Sequence, residues 1–240
     1  MGIVGSDMRA PAPIILALDT HDQRQARTWI EQTRDVISIY KIGLEYFLSC
    51  GKADVMKLTE EFGCEIFLDL KLHDIPNTVR GAVRSIAEIS PRFLTVHASG
   101  GGAMIEAAAH ELPSVEITAV TILTSLNEHD VDEIGFADKP LPSALKLAQL
   151  AVIHGARALV CSPHEVAQIR KIVPSHISLI TPGVRPTGSA IGDQQRTMTP
   201  QQALDAGADF LVIGRPITGA QSPSRAAADI ATELEMKRFN

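Results

Sequence analysis

Short runs of β-branched and apolar residues recur eight times along this chain, and stretches of helical period or turn-forming composition separate them. The runs are Ile14–Asp19, Ile37–Gly43, Glu65–Lys71, Phe93–Ala98, Glu116–Leu123, Ala158–Ser162, Ile177–Gly183 and Asp209–Arg215. Such runs favour strands, whereas apolar residues three and four positions apart favour a helix with one buried face. The helical stretches include Asp22–Thr33, Asn77–Ile89, Gly102–Glu111, Ser143–His154, Pro163–Ile172, Thr199–Ala206 and Pro223–Arg238. Their punctuation agrees: Pro76-Asn77 and Ser162-Pro163 stand at helix starts, and Gly63, Gly155 and Gly207 follow helix ends.

Eight βα units within 240 residues match the size and rhythm of an α/β TIM (β/α)8 barrel. An open doubly wound sheet is the competing layout and usually needs fewer strands for this length. No linker, charge block or low-complexity stretch divides the chain, so one barrel domain is expected over 14–240. Residues 1–13, rich in Gly, Ser and Pro, are expected to be a disordered lead-in, although Met1 to Ser6 also fit the loose myristoylation pattern.

Composition narrows the function classes. Lys and Arg number 22 against 28 Asp and Glu, a net charge of −6, which gives no general attraction to nucleic acid or anionic lipid. Aromatic residues are 4%, too few for a base-stacking surface. No apolar run reaches the ~18–20 residues that span a bilayer. Cys50, Cys64 and Cys161 are three and lack metal-ligand spacing, which suits a reducing compartment. With no basic-then-apolar leader at the N-terminus, a cytoplasmic protein is expected.

Polar residues gather at the strand ends: Asp19, Lys41, Asp69 with Lys71, His97, Thr124, Arg185 and Gly214-Arg215. In a barrel these ends converge on one mouth. In the third run, period two places Asp69 and Lys71 on one face and Leu68, Leu70 and Leu72 on the other. The leucines would pack under helices, and the charges would point into the barrel, where an unpaired charge is costly. Asp69, Lys71 and Asp74, with Lys41 from a neighbouring strand, are therefore expected to form a compensated network. A purely structural ion-pair cluster fits the same spacing. Buried ion pairs seldom stabilise more than an apolar replacement would, which favours a catalytic reason for them.

The seventh run, ending Thr181-Pro-Gly-Val-Arg185, precedes a long aperiodic stretch from Pro186 to Met198, the length of a lid or binding loop. Loops after strands seven and eight are the usual phosphate cradle of a barrel. Gly214 would let backbone N–H groups approach, and Arg185 and Arg215 would supply cationic forks. Ordinary surface arginines are the alternative. Gly100-Gly-Gly102 lacks the third glycine of a dinucleotide fingerprint and fits a turn. No GxxxxGK loop, HExxH or EF-hand pattern is present, and nothing requires a metal.

The stretch Asp69-Leu-Lys-Leu-His-Asp-Ile-Pro-Asn-Thr78 resembles the signature of the orotidine 5′-monophosphate decarboxylases, in their bacterial form. Leu16-Ala-Leu-Asp19, Tyr40-Lys-Ile-Gly43, Val120-Thr-Ile-Leu-Thr124, Thr181 to Arg185, Gly192-Asp-Gln194 and Ile213-Gly-Arg-Pro216 follow in the family's order. The resemblance implies decarboxylation of orotidine 5′-monophosphate to uridine 5′-monophosphate, the last step of de novo pyrimidine nucleotide synthesis, without metal or organic cofactor. It implies Lys71 as the acid that protonates C6, Asp69 beside the departing carboxylate, and Lys41 and Asp74 completing the charge network. By the same resemblance Asp19 and Lys41 hold ribose hydroxyls, and Thr124, with Ser125 as a second candidate, holds the pyrimidine. Gln194, Arg185, Gly214 and Arg215 hold the phosphate. Asp74, Ile75 and Thr78 enter the neighbouring subunit's site, which implies a homodimer. Two other readings remain at this point: a barrel acting on sugar phosphates through Mg²⁺, which shares the Asp-x-Lys-x-x-Asp pattern, and a nucleotide-binding barrel without catalysis.

Overall fold

The computed structural model describes residues 11–185 and 198–236. Its eight strands are β1 (Ile14–Ala17), β2 (Ile39–Gly43), β3 (Glu65–Leu72), β4 (Phe93–His97), β5 (Glu116–Val120), β6 (Ala158–Val160), β7 (Ser178–Pro182) and β8 (Phe210–Ile213). Each pairs in parallel with the next, and β8 closes onto β1 through Ile14↔Leu211, Ile15↔Val212 and Leu16↔Ile213. The fold is a TIM barrel.

The helices among the described residues are α1 (Gln23–Thr33), α2 (Leu44–Phe62), α3 (Pro76–Ser85), α4 (Gly102–Glu111), α5 (Glu128–Glu133), α6 (Pro140–Ile153), α7 (Val166–Ile172), α8 (Pro200–Asp205), α9 (Arg215–Thr218) and α10 (Pro223–Met236). Local chemistry starts and stops them. The Asp22 carboxylate accepts the N–H groups of Arg24 and Gln25 at 2.8 and 3.3 Å, a side-chain N-cap for α1. Pro76 opens α3, where its missing N–H costs nothing. None of the described helices is long and apolar enough to cross a membrane.

Alternation along the strands separates two apolar layers. Ile15, Ile39, Phe67, Phe93, Ala158 and Ile180 fill the barrel interior, while Leu16, Tyr40, Ile66, Leu68, Leu94 and Leu179 belong to the larger layer under the helices. Leu70 and Leu72 pack against that outer layer, as period two requires.

The structure differs from the sequence expectation at several edges. β1, β5, β6 and β8 end sooner than their apolar runs, so Asp19, Thr124 and Arg215 lie just beyond the sheet, and Arg215 is the first residue of α9. The Ser162-Pro163 start is a turn, with α7 beginning only at Val166. For α2 the sequence marked only the end, at Gly63; Gly51, at φ +77°, breaks the helix and with it the apolar period. Residues 1–10 of the expected lead-in lie outside the described residues, but its last residues already join the barrel. Ala12 N–H donates to Val36 O, and Leu211 N–H donates to Pro13 O, both at 3.0 Å.

Candidate active site

The C-terminal ends of the strands surround a cavity of about 320 Å³. Of the expected site residues, Asp19, Lys41, Asp69, Lys71, Thr124, Arg185, Gly214 and Arg215 line it. Phe67 lies one inward position below Asp69 on β3 and also lines it. Asp74, Ile75 and Thr78 are not among the lining residues and are exposed. Gln194 and the long stretch 186–197 lie outside the described residues.

The charges form a chain of contacts. Lys71 Nζ lies 2.7 Å from Asp69 Oδ1, Lys41 Nζ lies 3.7 Å from Asp69 Oδ2, and Lys41 Nζ lies 2.9 Å from Asp19 Oδ1. The side chains of Lys41 and Asp69 are each only 12% exposed, whereas that of Lys71 is 31% exposed and that of Asp19 is 61% exposed. Two ammonium groups and two carboxylates thus balance across the mouth, with the inner pair held out of water. Gly43 makes room for this arrangement: a Cβ there would come within 3.1 Å of the Lys41 ammonium and 3.6 Å of Asp19.

The expected network contained Asp74, which within the single chain stands outside it. Among the described residues no ion pair joins Asp74 to Lys71; its carboxylate instead accepts the adjacent Ile75 N–H at 2.7 Å. Within one chain Asp19 is the second aspartate. The reason is local: β3 ends at Leu72 and the backbone turns into α3, which leaves Asp74 at the surface.

Lys71 is placed by irregular backbone. Along β3 the pairing with β4 jumps from Leu68↔Leu94 to Leu72↔Val96, so four steps on one strand oppose two on the other. The bulge contains Asp69, Leu70 and Lys71, and Lys71 adopts φ +49°. A side-chain-bearing residue in this left-handed region costs about 1–2 kcal/mol, and such strain concentrates at working sites. Bulges beside a site re-aim a side chain, here the lysine.

Sequence reasoning missed Thr95. It is fully buried on β4, its hydroxyl accepts the Lys71 backbone N–H at 2.8 Å, and it donates to Asp69 Oδ1 at 3.0 Å. The available signal was a lone hydroxyl at an inward position of Phe93-Leu-Thr-Val-His97. His97 lies one inward position further on, its ring 5.5 Å from that of His73. Burial, then His73 and Lys71, hold the His97 imidazole below its usual range. A neutral imidazole there adds no third cation beside the two lysines.

The arrangement offers a fixed ammonium that can donate a proton, a carboxylate held beside it, and two arginines at the far side of the cavity. That combination suits a substrate with an anionic tail and a reaction that develops negative charge next to Lys71.

Comparison with known proteins bears on the substrate. Residues 12–230 match the model of the orotidine 5′-phosphate decarboxylase / HUMPS family. An orotidine 5′-phosphate decarboxylase of Thermobifida fusca is 51% identical over 224 residues, covering 93% of this chain and 96% of the relative. One from Anaeromyxobacter dehalogenans is 45% identical over 228 residues, covering 95% of this chain and 100% of the relative. The crystal structure of orotidine 5′-phosphate decarboxylase from Lactobacillus acidophilus superposes with a TM-score of 0.81 at 35% identity, covering 93% of this chain and 99% of that one.

Proposed function

The chain belongs to the orotidine 5′-phosphate decarboxylase / HUMPS family, and on that premise we propose how its barrel mouth removes carbon dioxide from orotidine 5′-monophosphate. The enzyme is a carboxy-lyase of pyrimidine biosynthesis, forming uridine 5′-monophosphate and carbon dioxide. The observation that carries the residue roles is the Lys71–Asp69 pair at 2.7 Å, with Lys41 3.7 Å from Asp69, lining the same cavity as Arg185 and Arg215.

Loss of carbon dioxide leaves an electron pair in the plane of the pyrimidine ring at C6, where the π-system cannot delocalise it. Stabilisation must come from a fixed cation, and Lys71 supplies one that also transfers a proton to C6. The departing carboxylate sits beside Asp69, which holds the Lys71 ammonium at 2.7 Å and so aims it. Asp19 and Lys41 hold the ribose hydroxyls, and Thr124 faces the pyrimidine. Arg185, Arg215 and the Gly214 backbone hold the phosphate dianion, with Gln194 assigned there by family resemblance alone. Binding energy from the phosphate is then available to the reacting end. No step in this scheme uses a metal or an organic cofactor.

We further propose a cytoplasmic homodimer. Asp74 and Thr78 are exposed and Ile75 is 66% exposed, although all three follow the reacting lysine within a few residues. That exposure supports their role in a partner's site. The test of the activity is loss of orotidine 5′-monophosphate absorbance, with and without EDTA. Turnover untouched by chelation is expected; inactivation reversed by Mg²⁺ would move the reading to the sugar-phosphate class.

A further inference from the structure

Thr95 stands between the two features that make the mouth unusual, the strained lysine backbone and the half-hidden carboxylate. Its hydroxyl has one proton to give and lone pairs to receive. The proton goes to Asp69 Oδ1 at 3.0 Å, and a lone pair takes the Lys71 N–H at 2.8 Å. The Lys71 ammonium reaches the same Oδ1 at 2.7 Å. A closed loop results: Lys71 backbone to Thr95 hydroxyl, hydroxyl to Asp69 carboxylate, carboxylate to Lys71 ammonium. Both ends of one lysine are thereby referred to a single side chain on the neighbouring strand.

Three properties of the site make that loop consequential. The bulge takes Asp69, Leu70 and Lys71 out of regular register with β4, so the Lys71 N–H relies on a side-chain acceptor. At φ +49° Lys71 needs surrounding structure to hold it there. Thr95 is itself 0% exposed and stands on a strand, which makes it a rigid reference point. Threonine suits the position because its methyl packs in the interior while branching at Cβ restricts χ1 and fixes the hydroxyl direction.

We propose that Thr95 is a positioning residue for the decarboxylation: it touches neither substrate nor leaving group, but fixes the Lys71 ammonium and the Asp69 carboxylate relative to each other. The inference rests on Lys71 and Asp69 being the reacting pair. A displacement of about 1 Å in such a pair can cost about 100-fold in rate. The residues assigned to phosphate and ribose come from other βα units, and none of them bonds to Thr95 among the described residues.

The experiment compares Thr95→Val, Thr95→Ser and Lys71→Ala with the wild type, measuring kcat and KM for orotidine 5′-monophosphate and thermal unfolding. Thr95→Val is expected to lower kcat about 10- to 100-fold with KM within about threefold, because transition-state alignment is lost and ground-state binding is kept. Thr95→Ser, which keeps the hydroxyl, is expected to recover most of that loss. Should the valine variant not fold, Thr95→Ala against Thr95→Ser isolates the same hydroxyl. Wild-type kcat in Thr95→Val, or a serine variant as impaired as the alanine variant, overturns the inference and leaves the decarboxylase reading intact. A Lys71→Ala variant with normal turnover would instead overturn the reading on which it rests.

Discussion

At the foot of the barrel Arg92 lies 2.9 Å from Glu65 and 3.8 Å from Glu116, with its guanidinium carbon 5.0 Å from the ring centres of both Phe93 and Phe210. At the mouth Lys71 lies 2.7 Å from Asp69, and Lys41 lies between Asp69 and Asp19. Both ends thus hold cations among carboxylates inside one ring of strands. The foot even opens onto the larger cavity, about 610 Å³ against about 320 Å³. Size does not distinguish the working end; the chemistry of the cation does.

Arginine keeps its proton at any ordinary pH, and its planar fork suits permanent pairing and stacking on rings. Arg92 engages two carboxylates and two aromatic rings at once at the base of the interior. Its neighbour Asp209 is likewise occupied, accepting from Arg170 at 2.8 Å and from the Leu179 N–H at 2.7 Å. Lysine is a compact donor on a flexible stem and can give up a proton. At the mouth its carboxylate partner aims it, the bulge beneath it is strained, and the cavity stays open above it. One end is built to stay as it is, and the other to act.

The sharpest test sets the two cations against each other. Lys71→Ala should fold with a normal circular dichroism spectrum and lose at least about 10⁴-fold in kcat, since it removes the residue proposed as both electrostatic stabiliser and proton donor. Arg92→Met should behave in the opposite way. It leaves Glu65 and Glu116 without their cation, but both are partly exposed, so the cost is about 1–2 kcal/mol, or a Tm lower by about 2–8 °C, with kcat unchanged. A dead Arg92→Met enzyme that is still folded would erase the division between foot and mouth.

A second test concerns what the mouth lacks within one chain. If Asp74 serves a partner's site, Lys71→Ala and Asp74→Ala homodimers are both nearly inactive, yet a mixed dimer holds one site free of lesions. Random reassortment makes about half the dimers mixed, so mixing restores about a quarter of wild-type activity. Activity that stays at the level of the separate variants, with subunit exchange demonstrated, would place Asp74 in its own subunit's function.

A third test lies at the far side of the mouth, in binding more than in turnover. Arg215→Ala should raise KM for orotidine 5′-monophosphate about 10- to 100-fold, the worth of a charged hydrogen bond to phosphate, with a lesser change in kcat. The phosphate-free nucleoside should lose much less. Equal losses in kcat/KM for both substrates would remove Arg215 from the phosphate.

By itself the sequence determined the βα rhythm, the order of the strands and, for β3, which face turns inward. Those follow from periods of two and 3.6 residues, which act over neighbouring positions and need no knowledge of the rest of the chain. The same local logic put Asp19, Lys41, Asp69, Lys71, Arg185 and Arg215 at strand ends, and barrel closure brought them to one cavity. The tertiary structure alone decided how the charges pair. Asp74 is three residues from Lys71 and makes no ion pair with it among the described residues, while Asp19, just beyond β1, joins the cluster through Lys41. The bulge that holds Lys71 at φ +49° exists only because β3 and β4 must keep register on both sides of it. Thr95 acquires its role only across that pair of strands. Pairing and strain are relations between segments distant in sequence, so no local period encodes them.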